Sequence, residues 1–333
     1  MKKSLLLVIL AFSMMMLLAA CGSEDSEGSE SSEPVVEEEQ EGQEQQEEVE
    51  EETEEPSELT ITHELGDITV PVNPEKVVVF DMNALETLDK MGVNVTGVPQ
   101  ANIPAYLSQY EDASYENVGT LFEIDYEKLA EINPDLIITG GRQAEQYDDL
   151  SELAPVLHMS TDYDNFYESF QSNMTTLGQV FNQEAFIAKE LQAIDDAIAA
   201  LNEKVSSEET ALVVLANSGN VNAYGTGSRF GIIHEKFGFT PVDESIEVTT
   251  HGMNISFEYI VDKDPDYIFV VDRDLVVTGE PAAQDTIENE LVQNTKAYQN
   301  GNIHYLNPDY WYIAGGGIVS VSEMVKAIEE ALQ

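Results

Sequence analysis

Three arginines, Arg142, Arg229 and Arg273, stand in a chain of 333 residues that holds 64 Asp plus Glu. Lysine would serve ordinary surface ion pairs equally well and outnumbers arginine 11 to 3. A guanidinium stays charged and offers a planar fork of donors suited to carboxylate or catecholate oxygens. Two of the three sit in matching places. The segment Asp125 to Ile138 and the segment Ser256 to Phe269 both read aromatic, Glu, short helix, Pro-Asp, apolar strand. Arg142 and Arg273 each follow the Glu of their segment, Glu127 and Glu258, by fifteen residues. That places each arginine just past the carboxyl end of an equivalent strand, the end that faces the ligand crevice in α/β sheets. Arg229 follows Gly225-Thr226-Gly227-Ser228 at the start of a helical stretch. The expectation is a cleft between two similarly built halves in which all three arginines meet one large anion. The competing reading is three surface salt bridges, which would contribute little.

Other residues fall near the same places. His251, in Thr250-His251-Gly252, precedes the second repeat and is either structural or a ligand contact. Tyr310-Trp311-Tyr312 leads into Ala314-Gly315-Gly316-Gly317 and an amphipathic last helix. Three aromatics in a row ordinarily pack in a core. Here Trp311 and Tyr312 are expected on the cleft rim, where they could stack on a flat ligand or on the arginines. The glycines form a plain turn or present N–H groups to an anion. Glu127 and Glu258 either favour their helix dipoles or form a matched pair of docking carboxylates. There is no P-loop, no Gly-x-Ser-x-Gly and no His-Glu-x-x-His. The five histidines lack metal-ligand spacing. No enzymatic activity is expected.

The elements that must position these side chains follow from periodicity. Leu59 to Val72 alternates around a Gly-Asp turn and predicts a β-hairpin. Val77–Phe80 predicts a buried strand, and Ala84, Leu85, Leu88 and Met91 a helix that ends at Gly92. Apolar runs at 136–139, 156–159, 211–216, 267–271 and 303–306 alternate with helices, which predicts α/β lobes with parallel sheets. The stretch 181–205 carries Phe186, Leu191, Ile194, Ile198 and Leu201 at helical spacing. A helix of that length spans about 37 Å, enough to join two lobes. The division is an N-terminal α/β lobe over 59–165, a helical connector over 166–209 and a C-terminal α/β lobe over 210–333.

Ahead of the lobes, Met1-Lys2-Lys3, the apolar run to Leu18 and Ala19-Ala20 read as a signal peptide over 1–20. Leu18-Ala19-Ala20-Cys21 resembles a lipobox, so Cys21, the sole cysteine, is expected to carry the lipid. Residues 22–58 hold 18 acidic and no basic side chains and read as a disordered tether within 21–58. The formal net charge of −50 excludes a nucleic-acid binder.

Taken in order, Gly119-Thr120-Leu121 with Asp125-Tyr126-Glu127, Gly141-Arg142-Gln143, Gly227-Ser228-Arg229-Phe230-Gly231, Thr250-His251-Gly252, Ser256-Phe257-Glu258-Tyr259 and Tyr310-Trp311-Tyr312 with Gly315-Gly316-Gly317 carry a resemblance. The chain resembles class III (cluster A) substrate-binding proteins of ABC importers over about 60–333. Within them it is most similar to Gram-positive lipoproteins that take ferric petrobactin and related catecholates. The resemblance implies two Rossmann-like lobes joined by one long helix, with the ligand cleft between them. It implies that Arg142, Arg229 and Arg273 face a trianionic ferric catecholate. His251 and Tyr312 then stand where relatives complete the iron sphere, and Glu127 and Glu258 match permease-docking carboxylates. The implied partners are a ferric siderophore as transported ligand, with no permanent cofactor, an ABC permease dimer with its ATPase, and the membrane through the lipid. The implied state is a monomer at the extracellular face of the cytoplasmic membrane. The long acidic tether departs from the pattern. Ferric citrate, haem and cobalamin are competing ligands, though cobalamin would not call for three arginines. A lipid-anchored hydrolase is the competing enzyme, opposed by the missing nucleophile–base motif.

Overall fold

The computed structural model describes residues 57–333. The signal peptide, Cys21 and nearly all of the acidic segment lie outside the described residues. An antiparallel hairpin opens the described chain: β1 (Glu58–His63) pairs with β2 (Gly66–Pro71). His63 lies opposite Gly66, so the turn residues are Glu64 and Leu65 rather than Gly66 and Asp67. The His63 ring fixes this register by accepting the Leu65 N–H at Nδ1, 3.2 Å away.

The first sheet is all parallel, in the order β5 (Glu116–Asn117), β4 (Gly97–Val98), β3 (Val77–Val79), β6 (Leu136–Thr139), β7 (Val156–His158). Its central strands are buried throughout, as strands covered on both faces must be. Helix α1 (Met82–Met91) is capped by the Asp81 carboxylate, which accepts from Ala84 N, and ends on left-handed Gly92. Helix α2 (Tyr126–Ile132) starts on Asp125 and ends on left-handed Asn133.

The second sheet runs β11 (Met253–Ile255), β9 (Asn220–Tyr224), β8 (Thr210–Asn217), β12 (Tyr267–Asp272), β13 (Ile303–Leu306), with β10 (Thr240–Pro241) also on β8. Strands β8, β12 and β13 are parallel, whereas β9 pairs antiparallel with both β8 and β11 and alone runs against the rest. The reversal is local. Ser218 and Gly219 both take positive φ (50° and 76°), the geometry of a two-residue hairpin turn matched to strand twist.

The internal repeat holds atom by atom. Ser256 caps α5 (Phe257–Lys263) as Asp125 caps α2, and Asp264 ends it in the left-handed conformation as Asn133 does. Asp135 then accepts from Glu75 N and Lys76 N, while Asp266 accepts from Thr210 N and Oγ1. Each Pro-Asp therefore clasps the start of the neighbouring central strand, β3 or β8.

Between the sheets the chain makes two helices, α3 (Phe166–Val180) and α4 (Glu184–Asn202). The helix predicted from 181 begins at 184 because Asn182 turns left-handed (φ 50°), and Gln183 N bonds back to Gly178 O. Nineteen residues give α4 a length of about 28 Å. Its buried face, Ile187, Leu191, Ile194, Ile198 and Leu201, keeps the helical period. It shares one core with the last helix, α7, which follows α6 (Arg273–Thr278) and spans Ile318–Ala331.

Candidate ligand-binding site

Arg142 sits in a 3₁₀ turn directly after β6, and Arg273 is the first residue of α6 directly after β12. Arg229 lies between β9 and the short helix Ile232–Glu235. The three converge on one turn, Asp309–Ile313, which follows β13. Arg142 donates from Nη2 to Tyr312 O (3.2 Å) and from Nη1 to Ile313 O (3.3 Å). Arg229 donates from Nη2 to the same Tyr312 O (3.0 Å), with its guanidinium 4.6 Å from the Tyr312 ring centroid. Arg273 donates from Nε to the Tyr312 hydroxyl (2.8 Å) and from Nη1 to Asn217 Oδ1 (3.0 Å).

Among the described residues, every ion pair within 4.0 Å uses lysine or histidine, and none uses an arginine. The surface-salt-bridge reading is therefore not what the side chains do. Two guanidinium nitrogens sharing one carbonyl are at most about 6 Å apart, a repulsion of about 3 kcal/mol at an effective dielectric constant near 20. Burial of its guanidinium end, and then the like charge of Arg229, push the Arg142 pKa down; Asp81, Tyr163 and Tyr312 partly offset this. Arg142 as a residue is solvent-exposed, so it is the tip against the Tyr312 and Ile313 carbonyls that feels this field. Arg229 Nε is buried with no hydrogen-bond partner. A bound anion would relieve the repulsion.

A cavity of about 370 Å³ opens beside Arg229, lined on one side by 162–164 and on the other by 227–229 and 248–250. It joins the segment after β7 to loops of the second sheet.

Residues 77–310 match the family model described as periplasmic binding protein. The chain belongs to that family. It is 40% identical over 281 residues to the petrobactin-binding protein YclQ of Bacillus subtilis (strain 168), covering 83% of this chain and 89% of that one. The crystal structure of YclQ superposes with a TM-score of 0.81 over 84% of this chain and 99% of that chain. The catecholate-siderophore binding protein VctP of Vibrio cholerae is 34% identical, with a TM-score of 0.77 over 82% and 99% of the two chains. The iron uptake ABC transporter substrate-binding protein PiuA of Streptococcus pneumoniae is 33% identical, with a TM-score of 0.77 over 83% and 99%. The two sheets are thus those of the two-lobe periplasmic binding protein fold, a family of binding proteins rather than enzymes.

Within that fold the sequence-predicted residues divide. Tyr312 is half-buried among the three arginines. Trp311 is not on the rim: it is 2% exposed and packs on Phe230, with ring centroids 6.3 Å apart. Successive residues of a helical turn point about 100° apart, so three consecutive aromatics cannot share a face. Tyr310 accordingly turns to the Tyr106 ring (4.5 Å), Trp311 to the core and Tyr312 to the arginines.

Two of the three glycines, and the residue after them, spend their N–H donors within the protein. Gly316 N donates to Asn83 Oδ1 (2.7 Å), Gly317 N to Ser320 Oγ (3.0 Å) and Ile318 N to Thr87 Oγ1 (3.3 Å). Ser320 N donates to Glu86 Oε1 (2.8 Å). The acceptor at the start of α7 is the protein's own Glu86 carboxyl group, brought by α1.

His251 is exposed, on a turn closed by Gly252 N to Thr249 O (3.1 Å). Its neighbours Thr249 and Thr250 line the cavity with Arg229. Among the described residues no three His, Cys, Asp or Glu are grouped to hold a metal ion. Glu127 and Glu258 are both exposed, each the second residue of its helix, and form no ion pair among the described residues. Sequence reasoning missed Asn217, which orients Arg273, and Tyr163. Nothing in a lone Tyr between aspartates marks it; only the return of the chain after β7 places it in the cavity.

Proposed function

We propose that this protein captures a ferric catecholate siderophore, of the petrobactin type, and delivers it to an ABC importer without chemical turnover. One observation carries the reading: three arginines from separate elements gather around Tyr312, and among the described residues none of them hydrogen-bonds or ion-pairs with a carboxylate. Such a cluster suits a multiply charged anion, and the aromatic ring inside it suits a flat one. His251 and Tyr312 are the side chains that would approach iron where a siderophore leaves coordination positions open. Glu127 and Glu258 would dock the two lobes, 59–165 and 210–333, on a permease dimer, with 166–209 as the connector. Cys21 would anchor a monomeric receptor at the extracellular face of the membrane. The relatives named for petrobactin and catecholate siderophores support the ligand class, and PiuA supports the importer.

The test is a fluorescence-quenching titration with ferric petrobactin and with an electroneutral ferric trihydroxamate. The expected result is tight quenching by the catecholate alone, lost in Arg142→Ala and Arg273→Ala. Binding of both ligands, or indifference to the arginines, would overturn the reading.

A further inference from the structure

The arginine cluster borders a cavity of about 370 Å³. Its walls differ in kind. Arg229 lies at one end, with Nε buried and unpartnered. Tyr163 forms part of one wall and is 42% exposed; Val248 lies on the other and is 58% exposed. Both are large apolar side chains left open to solvent inside a concave, partly charged site. Ligand pockets of about 300–1,000 Å³ are typically built this way, with apolar walls and a few placed polar groups.

Tyr163 is held, not loose. It begins the 3₁₀ turn Tyr163–Asn165, whose cap is Asp162. Asp162 accepts from Asp164 N (3.0 Å) and from Asn165 Nδ2 (2.9 Å), and its own N–H donates to Ser169 Oγ (3.2 Å). Tyr163 lines the same cavity as Arg229, which belongs to the arginine cluster around Tyr312.

We propose that Tyr163 is a ligand-contacting residue that forms, with Val248 and Arg229, a subsite for one aromatic ring of the anion. The inference rests on the functional reading above and deepens it. Asp162 is occupied within its own turn, whereas the Asp164 carboxylate on the same lining repels the oxygens of an anion. Oxygens of the ligand are therefore drawn toward Arg229, and the ring is left to Tyr163 and Val248. An aliphatic anion such as citrate satisfies the arginine equally well and gains nothing from Tyr163. Tyr163 is thereby a specificity residue for aromatic over aliphatic ferric anions.

The test is a calorimetric titration of the full chain with the ferric complex of a bis-catecholate and, separately, with ferric citrate. Wild type, Tyr163→Ala, Tyr163→Phe and Arg229→Ala are compared. Tyr163→Ala is expected to weaken the catecholate about tenfold, the scale of an aromatic contact, and to leave citrate within twofold. Tyr163→Phe retains the ring and stays within about threefold of wild type for both. Arg229→Ala weakens both ligands. Equal catecholate affinity in Tyr163→Ala and wild type, or an equal loss for both ligands, would overturn the subsite. A wild-type chain that takes up no ferric catecholate overturns the functional reading itself, and shows it before any variant is compared.

Discussion

Glu86 is wholly buried in the seam between α1 and α7, and no cation pairs with it among the described residues. Its Oε1 accepts from Ser320 N (2.8 Å) and Ser320 Oγ (2.7 Å), and Oε2 accepts from the Tyr106 hydroxyl. Burial pushes its pKa up to about 7, against the pull of the Tyr106 and Ser320 hydrogen bonds. The sign of the consequence follows from proton linkage. Between the unfolded value of 4.5 and about 7, the folded chain holds a proton that the unfolded chain has lost. Stability from this group is therefore greatest below 4.5, falls as pH rises, and is flat above the folded pKa. At about 1.4 kcal/mol per pH unit, the fall is about 3 kcal/mol.

Glu86→Gln isolates that contribution. The amide oxygen can accept from Ser320 as Oε1 does, and the amide N–H can donate to the Tyr106 oxygen. Urea unfolding of both proteins at pH 4.5 to 8 gives a difference curve in which the other acids cancel. We expect the variant to gain on wild type by about 3 kcal/mol across that range. Glu86→Ala should lose stability at every pH, because Ser320 N–H is left buried without an acceptor. A flat difference curve, or one in which wild type gains with pH, would show that Glu86 ionises normally in the fold and would refute the reasoning.

Gly317→Ala should cost at least about 2 kcal/mol, since its Cβ would overlap Glu86 Oε1 and stand 2.5 Å from the Asn83 carbonyl; a thermal melt shows it as a clear drop in Tm, and an unshifted melt would mean that the seam is loose. Glu127→Ala combined with Glu258→Ala should leave ferric-siderophore affinity within about twofold, because both carboxylates are exposed and unpaired, while iron uptake by cells carrying the importer falls; a loss of affinity in the purified double variant would place them in the ligand site instead.

The repeat was legible because its two copies solve the same backbone problem with interchangeable side chains. A cap acceptor is needed at position 125 or 256, and Asp or Ser supplies it. A left-handed residue is needed at 133 or 264, and Asn or Asp tolerates it. From the repeat came the two arginines and the parallel strands that carry them. The reversed strand β9 is not legible, because its only strong signal is Asn217-Ser218-Gly219-Asn220, a turn that gives no direction until its two positive φ angles are seen.

The site itself divides along a different line. Residues whose chemistry is intrinsic, the guanidiniums, announced themselves by rarity in an acidic chain. Residues whose role depends on which way a turn faces did not. Trp311 and Tyr312 are neighbours of equal promise in sequence, and one helical step sends the first into the core and the second to the arginines. The glycines before α7 are a stronger case. A helix start with three glycines invites an acceptor, and one is there, but it arrives on Glu86 from 234 residues away. The same face of α1 holds Gly316 through Asn83 and Ile318 through Thr87, so α1 as a whole fixes the far side of the turn that carries Tyr312. The arginine cluster therefore packs against a turn held by side chains of α1 that no spacing rule connects to it.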